Sequence, residues 1–309
     1  MTNGPKIAKG NKKAVFIAFI VVVCLLVGVF LRNASSVSSL GTRSIAPPNQ
    51  SSHPRRSPGQ LRALALARIT TSAATNIVCP FVSLLGPGAA DYRGGMASLR
   101  ELPAILSSNQ VETLRVLVSI PYSSSMALSL LEFNGVKNVA ADILLQQPSF
   151  PAELLADLAV QHGDPAQDEV WRDYCLQMLT SGYLNLAGRA EADLDAPAAR
   201  ELALETLMSA ASAGGNTWPG TALLGLNSIL SSEPSAFPRE ELDRRILSVL
   251  SDASASEAAL ITAARLAGMS RLEAARAPLA TLAGSQSELV RNASAKSISE
   301  LPAENAGTP

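Results

Sequence analysis

Apolar positions follow two regimes along this chain. From Ala14 to Leu31 they are unbroken, eighteen residues without a charge or strong polar group. From Gln60 onward they recur three and four residues apart, in short blocks punctuated by Pro, Gly and Ser, as amphipathic helices separated by turns would require. Between the two, Asn33 to Gly59 is rich in Ser, Pro and Asn and has almost no apolar period, which reads as a disordered linker.

The periodic blocks predict helices at 60–76, 91–102, 109–119, 124–146, 150–161, 166–183, 196–213, 218–232, 239–251, 255–268, 271–283 and 286–300. Three starts share an oxygen-bearing residue two places before a proline: Ser149-Phe150-Pro151, Asp195-Ala196-Pro197 and Thr217-Trp218-Pro219. Each oxygen is expected to cap its helix, with the proline in the first turn, where a missing amide breaks no intrahelical bond. Ala and Leu dominate while β-branched runs are scarce outside 14–31, so the fold class is all-α. Short helices joined by short turns make antiparallel hairpins stacked in chain order.

At 1.5 Å per residue the first apolar run is roughly 27 Å long, enough to span a bilayer core with snorkelling flanks. Lys6, Lys9, Lys12 and Lys13 precede it, and only Arg32 and Arg43 follow closely. That bias keeps the amino terminus cytoplasmic and the rest extracytoplasmic, periplasmic in a bacterium. A cleaved signal peptide is the rival, since Ala34-Ser35-Ser36 offers small residues for cleavage, but the run exceeds the usual length of such a segment. Cys24 reads as a membrane-buried thiol, and Ala14/Ala18 and Cys24/Gly28 are small pairs that would let two anchors pack.

Charge changes the picture further. Residues 1–90 hold ten Lys or Arg and no acid; residues 91–309 hold fifteen basic and 26 acidic residues, a net of −11. The helical part therefore repels nucleic acid, and its basic residues form no run that could track a phosphate backbone. Three cysteines make no disulfide scaffold. Cys79 and Cys175 could pair in an oxidising compartment, although buried free thiols fit better.

One motif repeats. Arg172-Asp173-Tyr174-Cys175-Leu176-Gln177-Met178-Leu179 aligns with Arg200-Glu201-Leu202-Ala203-Leu204-Glu205-Thr206-Leu207 and with Arg291-Asn292-Ala293-Ser294-Ala295-Lys296-Ser297-Ile298. A small residue stands third after each Arg, where neighbouring helices would approach. Asp168, one turn before Arg172, is placed to hold the helix start and pair with it. Ala277 to Ala283 followed by Ser287-Glu288-Leu289-Val290-Arg291 resembles a HEAT repeat, an apolar helix, a polar turn and an acidic-x-Val-Arg start, and Asp168-Glu169-Val170-Trp171-Arg172 is similar to the same turn. The resemblance covers about 91–301, is clearest over 164–182 and 255–301, and is interrupted between Ser181 and Leu194. It implies a right-handed α-solenoid of stacked hairpins that binds or scaffolds other proteins.

Catalytic constellations are not visible. His53 lies in the linker, and His162 beside Gly163 reads as a surface turn. No cysteine or histidine pair has metal-ligand spacing, and no Ser occupies a G-x-S-x-G turn. Gly86-Pro87-Gly88-Ala89-Ala90-Asp91 fails as a dinucleotide loop, because Asp91 replaces the third glycine, and reads as an inter-helix turn. Trp218 is the candidate partner anchor and Asp168 and Arg172 are further candidates for partner binding, although a Trp folded against its own helix is the commoner arrangement. Arg172, Arg200 and Arg291 are the structural repeat positions.

The expected layout is a basic cytoplasmic terminus at 1–13, a transmembrane helix at 14–31, a linker at 32–59, a HEAT-like helical domain at 60–301 and a tail at 302–309. The expected function is a membrane-tethered extracytoplasmic scaffold that binds an unknown protein, uses no cofactor or metal, catalyses nothing and leaves nucleic acid alone. The alternative is a lyase-like or small-ligand-binding solenoid, secreted after signal cleavage, since some HEAT-like arrays handle tetrapyrrole attachment.

Overall fold

Serine caps set where several helices begin. The computed structural model describes residues 56–64, 67, 92–124, 126–187, 195–212 and 214–303. The chain divides into two units, Met1–His53 and Pro54–Pro309, and every described residue belongs to the second. The apolar run at 14–31, the Gly86 to Asp91 turn, Cys24, Cys79 and His53 lie outside the described residues. Among those described, no helix is long and apolar enough to cross a membrane.

Residues 58–64 are helical. There follow α1 (Tyr92–Arg100), α2 (Ser108–Ser119), α3 (Leu130–Leu145), α4 (Glu153–Gly163), α5 (Glu169–Ala187), α6 (Ala196–Ala210), α7 (Trp218–Ser232), α8 (Arg239–Ser251), α9 (Glu257–Met269), a 3-10 turn (Glu273–Ala275), α10 (Arg276–Leu282) and α11 (Glu288–Glu300). The described part is all-helical. Ser107 and Ser129 each close a reciprocal capping box, with Gln110 and Glu132; Ser256 and Ser287 accept from the amides of Ala259 and Val290. Such a cap satisfies one of the four amides a helix start leaves unpaired.

One expected start and three expected caps fail on this point. The helix expected from 124 begins at Leu130, because Ser129 and Glu132 exchange bonds there. The three proline-linked caps are also corrected. Ala152, not Ser149, precedes α4 and offers no side-chain oxygen, and Asp195 and Thr217 make no capping bond. Both have other partners: Asp195 accepts from Arg56, and Thr217 donates to Asp173. The expected interruption after Ser181 is absent up to Ala187, since α5 runs through it with Gly182 buried against Leu155 and Leu145.

Packing follows an alternation. Each odd-numbered helix packs on the next odd one, α1 to α3 and onward to α11, while α2 packs on α4, α4 on α6, and α8 on α10. Each even helix also packs on the odd helix that follows it. One apolar core of Leu, Ala and Val runs between the two rows, from Leu61 to Leu301. The even row is interrupted: α6 and α8 barely touch. Arg245 of α8 crosses that gap, donating to the Met208 carbonyl and, at 2.6 Å, to Ser212 Oγ.

Candidate functional site

The starts of the odd helices lie side by side, and polar bonds hold them there. In α3 the fifth residue, Asn134, donates Nδ2 to Asp168 Oδ1, before α5, at 2.9 Å. In α5 the fifth residue, Asp173, accepts from Thr217 Oγ1, before α7, at 3.3 Å and from Thr221 Oγ1 at 3.1 Å. Before α9, Ser256 Oγ donates to the Asn216 carbonyl at 2.7 Å. Each rung joins one helix start to the next. Burial pushes the Asp173 carboxyl up, while its bonds from Thr221, Thr217 and Gln177 pull it back, which is the cost and the compensation of burying an acid.

Inside this edge sits a cation among aromatic rings. Lys137 of α3 is fully buried. Its Nζ donates to the Ile120 carbonyl at 2.9 Å and to Gln167 Oε1 at 2.8 Å, and it stands 4.2 Å from the centre of the Trp171 ring and 5.5 Å from that of Phe133. Gln167 Nε2 in turn donates to the Ser119 carbonyl, so Lys137 and Gln167 together satisfy the exposed end of α2. Burial pushes the Lys137 ammonium down to about 7; the more distant Asp168 and Asp164 carboxylates pull it up. Trp171 Nε1 donates to Gln161 Oε1 at 2.8 Å, as a buried indole requires. Beside it Cys175 is a buried free thiol, pushed up to about 12 by burial, and so inert at neutral pH.

Arg172 faces the other way. Its Nε donates to the His162 carbonyl at 2.6 Å, and His162 Nδ1 lies 3.0 Å from the Arg172 carbonyl. The bond to a carbonyl makes Nδ1 the protonated nitrogen. The Arg172 guanidinium stacks 4.0 Å from the centre of the Trp218 ring, and the His162 ring meets the same indole edge-on at 5.1 Å. Burial holds the imidazole below its ordinary range.

The expected site residues thus come together in a different arrangement. Asp168 does hold the start of α5, accepting from the amides of Val170 and Trp171, but its neighbour is Asn134; Arg172, expected as its partner, turns to His162 and Trp218. His162 is no surface turn, because it is buried at the end of α4. Trp218 is half-buried with its ring flanked by Arg172 and His162, and its Nε1 finds no hydrogen-bond partner among the described residues. The repeat positions separate into two kinds. Arg172 and Arg291 are each the fourth residue of an odd helix and donate to backbone carbonyls before that helix, His162 for the first, Ser285 and Gln286 for the second. Arg200 lies in the even helix α6, pairs with Glu233 and stacks 4.3 Å from the centre of the Tyr183 ring. The short spacing between Arg172 and Arg200 is explained by that crossing from one row to the other.

Lys137 and Asn134 escaped the sequence reading. Both lie in the run Phe133 to Ala141, where a lysine on a helix is ordinarily taken to face water; the usable signal was that Asn134 and Asp173 occupy the same place, fifth, after an oxygen-bearing residue. Among the described residues no group of three His, Cys, Asp or Glu side chains could hold a metal ion. Comparison with protein-family models, with curated proteins and with solved structures finds no match to this chain.

Proposed function

We propose that this chain is a membrane-tethered, extracytoplasmic scaffold, a HEAT-like right-handed α-solenoid that binds another protein along the starts of its odd helices. The reading is one of recognition, not of catalysis, with no cofactor and no nucleic acid. Alternate packing of helices supports the solenoid, as does the spacing of α3, α5, α7, α9 and α11, which begin at Leu130, Glu169, Trp218, Glu257 and Glu288, about 40 residues apart on average, near the HEAT period. Glu169-Val170-Trp171-Arg172 and Glu288-Leu289-Val290-Arg291 also match in exposure: the second residue is open to solvent and the third buried in both. The tether rests on the apolar run Ala14 to Leu31 and its basic flank.

The observation that carries the binding role is the placement of exposed apolar side chains. Leu131 is 78% exposed, Val170 48% and Leu289 46%, and each is the second residue of an odd helix. The Asn134–Asp168 bond joins the starts of the helices that carry Leu131 and Val170. Apolar groups left open at matching places on a rigid edge are what a partner would cover. Asp168, Arg172 and Trp218 hold that edge in shape from within, and Trp218 keeps one side toward solvent.

Membrane fractionation with cross-linking and capture from intact cells tests this. The full chain is expected in the membrane fraction with residues 1–31 intact and joined to a defined protein. Leu131→Asp with Val170→Asp should cut capture at least tenfold with the melting temperature unchanged; Trp218→Ala should weaken capture less and lower the melting temperature by loosening Arg172. Undiminished capture by the double Asp variant would reject the edge as the binding surface.

A further inference from the structure

The last residues before the helical domain do not simply hang from it. Arg56, assigned by sequence to the linker, donates Nη1 to Glu153 Oε1 at 2.8 Å and lies 3.3 Å from Asp195 Oδ2; its backbone amide lies 3.3 Å from Asp195 Oδ1. Glu153 is the first residue of α4 and Asp195 immediately precedes α6, so one arginine bridges two adjacent helices of the even row. Immediately afterwards the chain turns into a helix through a reciprocal cap: the Ser57 amide donates to Gln60 Oε1 at 2.8 Å and the Gln60 amide to Ser57 Oγ at 3.3 Å. One turn on, Leu61 is fully buried in the core. Beyond it, a Cβ built on Gly163 would stand 3.7 Å from Arg62 Nη2, at the far end of α4.

These contacts differ in strength and in what can undo them. Leu61 is held by burial, which salt does not weaken. Arg56 is held by two carboxylates at the solvent boundary, with side-chain exposures of 41% for Arg56, 30% for Glu153 and 18% for Asp195. Ion pairs of that exposure are weak and screened by salt. A guanidinium fits a pair of carboxylates as a fork of donors, and the helix starts behind them favour the acids they carry. The acid pair is therefore an arginine-recognition site that the chain fills with its own residue.

We propose that residues 56–61 are a strap with a releasable clasp. Arg56 fastens the tether to the starts of α4 and α6, Leu61 is its permanent pin, and salt or a competing guanidinium opens the clasp while the pin stays seated. Closed, the clasp fixes where the tether leaves the domain; open, it adds free chain ahead of Leu61. This inference does not depend on the identity or existence of a protein partner.

Limited trypsin digestion of the full chain in detergent micelles reads the clasp directly, since trypsin must take the Arg56 guanidinium into its own pocket to cut the bond before Ser57. The rate there is measured by mass spectrometry against the cut after Arg43 in the same molecule. Glu153→Gln with Asp195→Asn should raise that ratio roughly three- to fivefold, with the melting temperature unchanged. For the natural chain, the ratio should climb by a similar factor between 20 mM and 500 mM sodium chloride, or on adding free arginine at low salt, without faster cutting after Arg62. A ratio that stays flat across the salt and arginine series overturns the clasp. If the double variant unfolds, marked by early cuts after Arg239 and Arg265, the salt series on the natural chain decides alone.

Discussion

The first rungs of this molecule and its last are closed by opposite chemistry. At their starts α3, α5 and α7 are joined by long side chains, Lys137 against Trp171, Asn134 on Asp168, Asp173 under Thr217 and Thr221, Arg172 on Trp218, and only deeper along α7 does Gly225 close on Thr180. Between α9 and α11 almost nothing fills the gap. Gly268 approaches so closely that an added Cβ would stand 2.9 Å from the Ser297 Cα and 2.5 Å from Glu300 Oε2, with Ala263, Ala267 and Ser294 buried alongside. Both gaps begin from the same short motif, Glu169 to Arg172 and Glu288 to Arg291. A shared helix start is therefore compatible with two different ways of joining neighbouring helices.

Breaking each region in its own currency sharpens the contrast. Trp171→Ala should cost the most, about 3–5 kcal/mol, because it empties the space around Lys137 and removes the ring face over which its ammonium lies. Chemical denaturation would measure it, and a loss under 1 kcal/mol would place the burden of that region elsewhere. Gly268→Val should cost about 1–3 kcal/mol, since a backbone atom of Ser297 must move. Hydrogen exchange should rise in α9 to α11 while the amides of α3 to α5 keep their protection; a rise spread evenly would show that the two regions unfold as one.

The last effect is one of pH, at most about 1.4 kcal/mol for each unit. Lys137 titrates near 7 when folded and at its ordinary 10.5 when unfolded. Between those values the unfolded chain binds the extra proton, so this group makes stability rise with pH from about 7 toward 10.5 and contributes no slope below. Melting curves across that range should rise more steeply for the natural protein than for Lys137→Met, which has no proton there to lose. Parallel curves would mean that the ammonium keeps its charge against the Trp171 face.

Local rules made much of the fold legible. Helices at 218–232 and 239–251 have the expected bounds, the first carrying Pro219 in its opening turn and the second following Pro238. Ser129-x-x-Glu132 was readable as a capping box, yet the apolar residues before it drew the helix five or six positions too early. The site was readable only as a neighbourhood. Arg172 and Trp218 do meet, but Asn134, which holds Asp168, and His162, which holds Arg172 and Trp218, are chosen by packing. An i, i+4 charge pair is worth a few tenths of a kcal/mol on an open helix, too little to hold Asp168 against two amides and an amide side chain. Nothing in the local pattern marks Lys137 as a lysine turned inward, because its acceptors, the Ile120 carbonyl and Gln167 Oε1, come from distant turns.

The break between α6 and α8 gives the molecule an uneven stiffness. Elsewhere along the described helices from α2 to α10 a bend must pry apart helices packed on both rows, but here the odd row resists, through α7, and the other side is joined only by the Arg245 side chain and by the close approach of Gly214 to Asp252 and Ser254. Elastic strain applied along the array concentrates at that joint, and the two halves can change their curvature independently.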